Sequence, residues 1–281
     1  MNILELISRV DFSLPLITGL SRSIRSLVMT KKKTPLLTCL TPHPTLSHKG
    51  RGYEKVAFTL AEVLITLGII GVVAAMTLPA VIQHHKEKAI ITKLKKNYST
   101  IQQAYLMALN EKGPIDTWGI TTAHSETSNI LYHLKDYLKI SKYCGLGSGC
   151  WYSTPMYALN GRIFNSEPDD RGYYSKAILA DGSMIMMYTS NEKSGFYRVD
   201  VNGKKPPNAI GKDIFTFEIK ENKVEPWGLE MYPFDDFCNP ADAGSAEQGR
   251  GCTAWLIVHE NMDYLHCIGL SWNGKHSCKQ K

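Results

Sequence analysis

An uninterrupted apolar segment most limits what this chain can fold into. Residues 63–82 contain no charged side chain. As a helix with a rise of ~1.5 Å per residue, the segment is ~30 Å long, which matches the hydrocarbon thickness of a bilayer. No second apolar run of that length follows it. The segment therefore predicts a single transmembrane helix.

Two other interpretations of the apolar segment remain open. A secretory signal would have a shorter apolar region and a cleavage site at small residues, for which Ala74-Ala75-Met76 is the candidate. The mature chain would then be a secreted protein, for example an enzyme, that begins near residue 76. A buried core helix of a soluble protein is the third interpretation, but it explains neither the acidic residue near the start of the segment nor the distribution of charge.

Positive charge is concentrated before the apolar segment. Residues 1–57 contain nine Lys or Arg and three Asp or Glu, whereas residues 58–281 contain 23 of each sign. A basic segment directly before a membrane span predicts that the N-terminal side stays in the cytoplasm. The remainder of the chain has no net charge, so we expect no nucleic-acid-binding surface in the globular part.

Glu62 lies at the start of the apolar region, where a bilayer disfavours a carboxylate. An acidic residue at the centre of a membrane helix costs about 2.5–3.5 kcal/mol, and less near the end of the helix. No Lys, Arg or His within residues 63–82 can neutralise it. Its partner must therefore come from another chain, or from an amino group that proteolysis creates.

The residues around Glu62 resemble a known processing signal. Ala57-Phe58-Thr59-Leu60-Ala61-Glu62-Val63-Leu64 is similar to the prepilin signal of type IV pilins and type II secretion pseudopilins. The resemblance implies that a prepilin peptidase cuts between Ala57 and Phe58, and that Phe58 is then N-methylated. Glu62 and Pro79 match the assembly glutamate and the helix-kinking proline of that family. Ala57 replaces the glycine that is most common before the cut, which we expect to slow processing.

The same resemblance implies a fold, a function and partners. The fold is α+β and pilin-like, with one long N-terminal helix packed on an antiparallel sheet and a disulfide-rich C-terminal region. The function is that of a structural subunit of a type IV pilus or a type II secretion pseudopilus, with a single pass of the inner membrane and a periplasmic C-terminal domain. The partners are the prepilin peptidase and methylase, other pilin or pseudopilin subunits, and an inner-membrane assembly platform.

The residues before the cut are interpreted as a leader. Residues 1–57 are long for a leader of this family, and translation from Met29 instead of Met1 would shorten it. Residues 40–52 are rich in turn-forming residues and poor in large apolar ones. We therefore expect a disordered leader that is removed during maturation.

The mature chain divides into three parts. Residues 58–82 form the transmembrane and assembly helix. Apolar residues recur at three- and four-residue steps over residues 83–112, which predicts an amphipathic continuation of that helix, and Gly113-Pro114 predicts its end. Residues 113–281 form a periplasmic or extracellular globular domain.

Six cysteines follow the apolar segment, an even number that predicts three disulfides in an oxidising compartment. Reduced thiols and a zinc site are the alternatives, although no Cys-x-x-Cys occurs. The sequence leaves the connectivity open, except that the glycine-rich stretch between the first two cysteines favours a locally closed loop over a phosphate-binding loop. The six are Cys144, Cys150, Cys238, Cys252, Cys267 and Cys278.

The globular part shows a change from helical to strand periodicity. Residues 115–150 predict a helical connector with a short helix near residues 130–140. An antiparallel meander of four or five strands is predicted to follow, and residues 252–258 predict one more strand. The predicted strands of the meander are residues 173–180, 183–188, 195–201, 213–220 and 223–228.

One loop gathers oxygen-bearing side chains around turn residues. Asp200, Asn202 and Asp213 lie in a stretch that is similar to calcium-binding loops of pseudopilins, and calcium prefers carboxylate and amide oxygens. This loop predicts a calcium site and favours the type II secretion branch of the family. The alternative is an Asn-Gly hairpin turn capped by Asp213, without an ion.

No arrangement of nucleophile, metal ligands or paired carboxylates stands out, so no enzymatic activity is expected. An alternative to the filament subunit is a minor pilin or membrane-tethered adhesin. Its cysteine-rich C-terminal region would then bind a ligand through exposed Trp255, Trp272 and Tyr264.

Overall fold

The computed structural model describes residues 59–280. A long N-terminal helix, an antiparallel sheet and three disulfides place the chain in the α+β class, as the sequence predicts at that level. The leader and the predicted cut between Ala57 and Phe58 lie outside the described residues. Among the described residues, contacts place a boundary between two units after Val72.

Helix α1 extends over Leu60–Lys112. At its start, the Thr59 hydroxyl accepts a hydrogen bond from the Glu62 N–H (3.2 Å), and the Glu62 carboxylate accepts one from the Thr59 N–H (2.8 Å). This reciprocal pair is a capping box, which satisfies two backbone donors that the first helical turn leaves free. The helix ends at Gly113, whose φ of 81° suits a glycine, as the sequence predicts.

The first part of α1 is apolar. Its most apolar 18-residue window has a mean hydropathy of 2.3 and no buried residue. Among the described residues this is one helix that is long and apolar enough to cross a membrane. Pro79 lies inside α1.

The second part of α1 buries one stripe of side chains. Tyr105 is fully buried, and its hydroxyl donates a hydrogen bond to the Lys220 carbonyl (2.7 Å). The buried apolar residues of the stripe are Ile91, Leu94, Ile101, Ala104, Tyr105 and Ala108.

Six strands form one antiparallel sheet in the order β1-β4-β5-β6-β7-β8, and two short strands, β2 and β3, form a separate hairpin. The predicted meander corresponds to β4–β8, so five strands of this sheet are anticipated and β1 is not. The strands are Ile140–Gly145 (β1), Met156–Tyr157 (β2), Ile163–Asn165 (β3), Ser175–Leu179 (β4), Met184–Asn191 (β5), Ser194–Asp200 (β6), Ile214–Lys220 (β7) and Lys223–Pro226 (β8).

The prediction of a helical connector over residues 115–150 is partly wrong. A short helix, α2, does occupy Ile130–Leu134, and the Asn129 side chain caps it. The chain then turns into β1, which pairs with β4 at the edge of the sheet. Edge strand β1 has only one buried residue, so it lacks the regular apolar alternation by which a strand is recognised.

The prediction of a strand at residues 252–258 is wrong. A short helix, α3, occupies Phe234–Phe237, and helix α4 occupies Cys252–His259. The first five residues of α4 are all buried. Such a short, continuously apolar run has no period that separates a buried strand from a buried helix.

Three disulfides are present, as the cysteine count predicts, and their connectivity is sequential. Each bond joins two cysteines that are neighbours in the order of cysteines along the chain, so each closes a local loop. The pairs are Cys144–Cys150, Cys238–Cys252 and Cys267–Cys278.

The two faces of the sheet carry different clusters because alternate residues of a strand face opposite sides. On the face of α1, Phe217 stacks between Tyr197 and Tyr98, with ring centroids 4.8 and 5.1 Å apart. Phe196 belongs to the opposite face. The buried members of that second cluster are Trp151, Tyr152, Met156, Tyr174, Met184, Met186, Ile210 and Ile214.

Replacement of Leu94 by alanine tests the packing of α1 on the sheet. Leu94 is completely buried, so Leu94→Ala should lower the free energy of unfolding by about 2–5 kcal/mol. Leu106 lies on the same helix and is 49% exposed, so Leu106→Ala should change it by less than about 0.5 kcal/mol. Urea unfolding of the purified chain in detergent, followed by circular dichroism, measures both. Equal losses would contradict the described packing.

Candidate functional site

The loop between β6 and β7 brings together the three residues that the sequence predicts as a site. Asp200 ends β6 and Asp213 precedes β7, and both are completely buried. Asn202 connects them: its backbone N–H donates to Asp200 Oδ1 (3.0 Å), and its Nδ2 donates to Asp213 Oδ2 (3.0 Å). Asn202 therefore links the two carboxylates, contacting Asp200 through its backbone and Asp213 through its side chain.

Asp213 also organises the backbone of the loop. Its carboxylate accepts hydrogen bonds from the N–H groups of Asn208 (2.9 Å) and Ala209 (2.7 Å). These contacts match the capping role that the hairpin alternative assigns to Asp213. Gly203 has a φ of 70°, and a Cβ there would lie 2.8 Å from the Gly182 carbonyl oxygen, so this position requires glycine.

Three oxygens of this loop are buried without a hydrogen-bond donor among the described residues. They are Asp200 Oδ2, Asn202 Oδ1 and Asn208 Oδ1. These residues belong to one hydrogen-bond network, because Asp200 bonds to Asn202, Asn202 to Asp213, and Asp213 to Asn208. A buried oxygen without a donor costs about 1–3 kcal/mol. Three such atoms in one connected group indicate that something else satisfies them, which a hairpin turn alone does not explain.

The electrostatics of the loop also favour a cation. Burial, and then the neighbouring charge of Asp213, raise the pKa of Asp200 from 3.8 to about 9. Burial raises the pKa of Asp213 as well. Among the salt bridges of the described residues, none involves either carboxylate. In the calcium-free chain Asp200 therefore keeps its proton at neutral pH, and a bound cation would favour the ionised carboxylate in its place.

The donor set fits calcium and does not fit zinc. In residues 59–280, no three His, Cys, Asp or Glu side chains group around a common metal position. The oxygens without a donor belong to one carboxylate and two amides, and Ca²⁺ accepts both kinds of ligand together with water. Asp200, Asn202 and Asn208 would hold the ion, with Asp213 positioning the loop. A bound ion would supply positive charge that attracts oxygens at the end of β6 and in the loop before β7, and so would hold the two segments together.

The residues predicted for processing and assembly lie apart from this loop in the sequence. Glu62 is in the first turn of α1, where its carboxylate completes the capping box with Thr59. The pattern Thr-x-x-Glu is a sequence signature of that cap, so the signal for it is present in the sequence. Phe58, whose amino group is the predicted partner of Glu62, lies outside the described residues.

The aromatic residues through which the adhesin alternative would bind a ligand are mostly buried. Trp255 is completely buried and stacks on Phe234, with ring centroids 3.9 Å apart. Tyr264 is buried too, and its hydroxyl donates to the Gly211 carbonyl (2.6 Å). Trp272 is half-buried and packs against the same core. These rings form the local core beneath α4, because this irregular region has little other apolar material to bury.

Comparison with protein families gives one match. A model described as "Family of unknown function (DUF6613)" matches residues 80–255, more than half of the chain, so the chain belongs to that family. No curated protein and no solved structure matches this chain.

Calcium should stabilise the chain. At a concentration of 100 Kd, a ligand that binds only the folded state adds about 2.7 kcal/mol, which raises Tm by about 5–10 °C for a domain of this size. Differential scanning fluorimetry in CaCl₂ and in EGTA measures the shift. Asp200→Asn should abolish it, whereas Asp116→Asn, which changes a half-exposed carboxylate elsewhere, should leave it intact. An equal Tm in both buffers would leave the loop as a turn without an ion.

The stability of the calcium-free chain should fall as the pH rises. In the folded state Asp200 keeps its proton to a pH of about 9, whereas in the unfolded state it releases the proton above about 3.8. The folded state therefore binds more protons between these values, and the free energy of unfolding decreases with pH across that window. Tm measured in EGTA from pH 5 to pH 9 should fall more steeply for the wild type than for Asp200→Asn. Parallel curves would contradict the raised pKa.

Proposed function

We propose that this chain is a structural subunit of a type IV pilus-like or type II secretion pseudopilus filament. The observation that carries the proposal is the prepilin-type motif at residues 57–64, placed at the start of a helix. That helix is apolar enough to cross a membrane in its first part. In its second part it packs on an antiparallel sheet.

The chemistry of Glu62 gives the motif a physical role. Removal of residues 1–57 would create a positively charged amino group on Phe58, four residues before Glu62. In a bundle of membrane helices, that amine on one subunit would neutralise the Glu62 carboxylate of its neighbour. Opposite charges attract far more strongly in the low dielectric of a bilayer than in water, so the pair would favour one register of subunit addition.

The capping box is compatible with this pairing. Glu62 Oε2 accepts hydrogen bonds from the N–H and the hydroxyl of Thr59. An ionised carboxylate has about four acceptor positions, so these bonds leave acceptor capacity for an incoming amine. The same carboxylate can therefore cap its own helix and bind a neighbouring chain.

The proposed location follows from charge and cysteine chemistry. The basic residues before the apolar segment favour a cytoplasmic N-terminus, so the globular domain would lie in the periplasm, anchored to the inner membrane. Disulfides form and persist in that compartment, which suits the three bonds of this domain. The proposed partners are a prepilin peptidase, further filament subunits and an inner-membrane assembly platform.

Maturation should produce a new N-terminus at Phe58. Co-expression of the full chain with a prepilin peptidase, followed by intact-mass and N-terminal peptide spectrometry, should give a chain that begins at Phe58 and carries one added methyl group. A chain that begins near residue 76 would instead support a cleaved secretory signal. A working filament that retains the leader would also contradict the proposal.

Two substitutions at Glu62 separate its charge from its capping role. Glu62→Val removes both, whereas Glu62→Gln keeps an oxygen that accepts the Thr59 N–H but removes the charge. Both variants should insert and be cut, because the apolar segment is unchanged. Both should fail to assemble, as judged by the recovery of sheared filaments. Normal filaments from Glu62→Gln would show that the helix cap, and not charge pairing, is what assembly requires.

A further inference from the structure

The face of the sheet opposite α1 carries a cavity of about 540 Å³. Its floor is formed by side chains that lie side by side on three strands: Tyr188 of β5, Phe196 and Arg198 of β6, and Glu218 of β7. Phe164 of β3, Trp227, Tyr232 and Arg250 complete the walls. The volume falls in the range typical of small-molecule sites. Neither the filament proposal nor the calcium loop uses this cavity.

Arg198 is a buried cation at the floor of the cavity. Its side chain is 2% exposed, and its guanidinium lies 4.8 Å from the ring centroid of Phe196 and 5.2 Å from that of Phe164. Its Nη1 donates a hydrogen bond to the Tyr174 hydroxyl (3.0 Å), and its Nε is buried without an acceptor among the described residues. No carboxylate of residues 59–280 lies within ion-pair distance of it.

Arg250 enters the same cavity from the C-terminal region. Its guanidinium stacks on the rings of Tyr232 (4.6 Å) and Phe164 (4.8 Å), and its Nε lies 2.5 Å from a Glu247 carboxylate oxygen. Burial, and then the positive charge of Arg198, lower the pKa of Arg250, which reflects how near the two guanidinium groups are. Both also stack on the one ring of Phe164.

Arg198 is the charged group of the cavity that has no counterion among the described residues. Glu247 pairs with Arg250, and Glu218 lies 3.5 Å from Lys220, whereas Arg198 has only the neutral Tyr174 hydroxyl. A buried cation is expensive unless a counterion or a set of acceptors compensates for the lost hydration. Guanidinium groups bind planar anions with two parallel hydrogen bonds, for which a carboxylate has the matching shape. The missing component is therefore an anion that enters from solvent.

The other walls indicate what the anion is attached to. Rings of Trp227, Tyr232 and Phe164 present flat apolar surfaces, which suit the C–H faces of a cyclic ligand. Ser190 and Glu218 also line the cavity and provide hydrogen-bonding groups, and the buried indole N–H of Trp227 has no acceptor among the described residues. A saturated ring that carries hydroxyl groups and one carboxylate satisfies all of these features.

We propose that this cavity binds an acidic sugar, whose carboxylate pairs with Arg198 and Arg250 and whose ring packs against Trp227. A neutral sugar would leave the guanidinium groups without a counterion. Inorganic phosphate would supply the charge but would leave the aromatic walls uncovered. Recognition therefore requires both parts of the ligand. The site lies within the globular domain and does not depend on filament assembly.

Titration calorimetry with the full chain in detergent tests the class of ligand. Glucuronate and galacturonate are the acidic probes, glucose and galactose the neutral ones, and inorganic phosphate the anion without a ring. The uronates should bind at least about tenfold more tightly than either the neutral sugars or phosphate, because one lost charged pair corresponds to about 1.4 kcal/mol or more. Equal binding of neutral sugars would overturn the role of the arginines. Equal binding of phosphate would contradict recognition of the sugar ring. No binding of uronates would contradict the proposal that the cavity is a ligand site.

Substitutions place the binding in this cavity. Arg250→Gln should weaken uronate binding at least about tenfold while preserving the near-ultraviolet dichroism of the folded chain. Trp227→Phe keeps an apolar ring but removes the indole N–H, and it should weaken uronate binding and leave phosphate binding unchanged. Arg162→Gln changes an exposed arginine outside the cavity and should leave both unchanged. Unchanged uronate binding in Arg250→Gln would assign it to another part of the molecule.

Discussion

The stack of Tyr98, Phe217 and Tyr197 joins α1 to the sheet, and the rest of the domain depends on that contact. Because one face of β6 and β7 is occupied in this way, the alternating side chains are fixed on the opposite face. That opposite face carries Phe196 and Arg198, which form the floor of the cavity. The strand register that packs Tyr197 and Phe217 toward α1 therefore also places Phe196 and Arg198 at the cavity on the other face.

Charged groups are buried near one end of the same strand. Arg198 and Asp200 lie two residues apart on β6, on the same face, and neither forms an ion pair within residues 59–280. Arg198 faces a cavity that lacks an anion, and Asp200 ends in a loop whose oxygens lack a cation. Burial without compensation is costly for both signs of charge. The proposed anion at Arg198 and a cation at the loop would each compensate one of these buried groups.

Periodicity explains which parts of the fold the sequence predicts. The long helix has a regular apolar pattern, and strands β4–β8 are β-rich segments with turn residues between them, so their bounds are predicted to within three residues. Helix α4 is too short and too uniformly buried to show a period, and edge strand β1 is too exposed. The loop between β6 and β7 stands out as a candidate site because Asp200, Asn202 and Asp213 are close in sequence, whereas the position of Asn208 beside them depends on the folded backbone. The cavity is missed entirely, because Phe164, Arg198 and Arg250 come from distant segments that no local pattern connects.

The sequential disulfides have a mechanical consequence. None of the three includes a residue of α1, and each closes a short loop within the globular part. A pulling force that enters through the helix would therefore meet no disulfide between the helix and the sheet. Such tension would be resisted by non-covalent contacts, which are the buried stripe of α1, hydrogen bonds such as that of Tyr105, and salt bridges such as Lys96–Asp181. Oxidation of the cysteines would stabilise individual loops without strengthening the contact between α1 and the sheet.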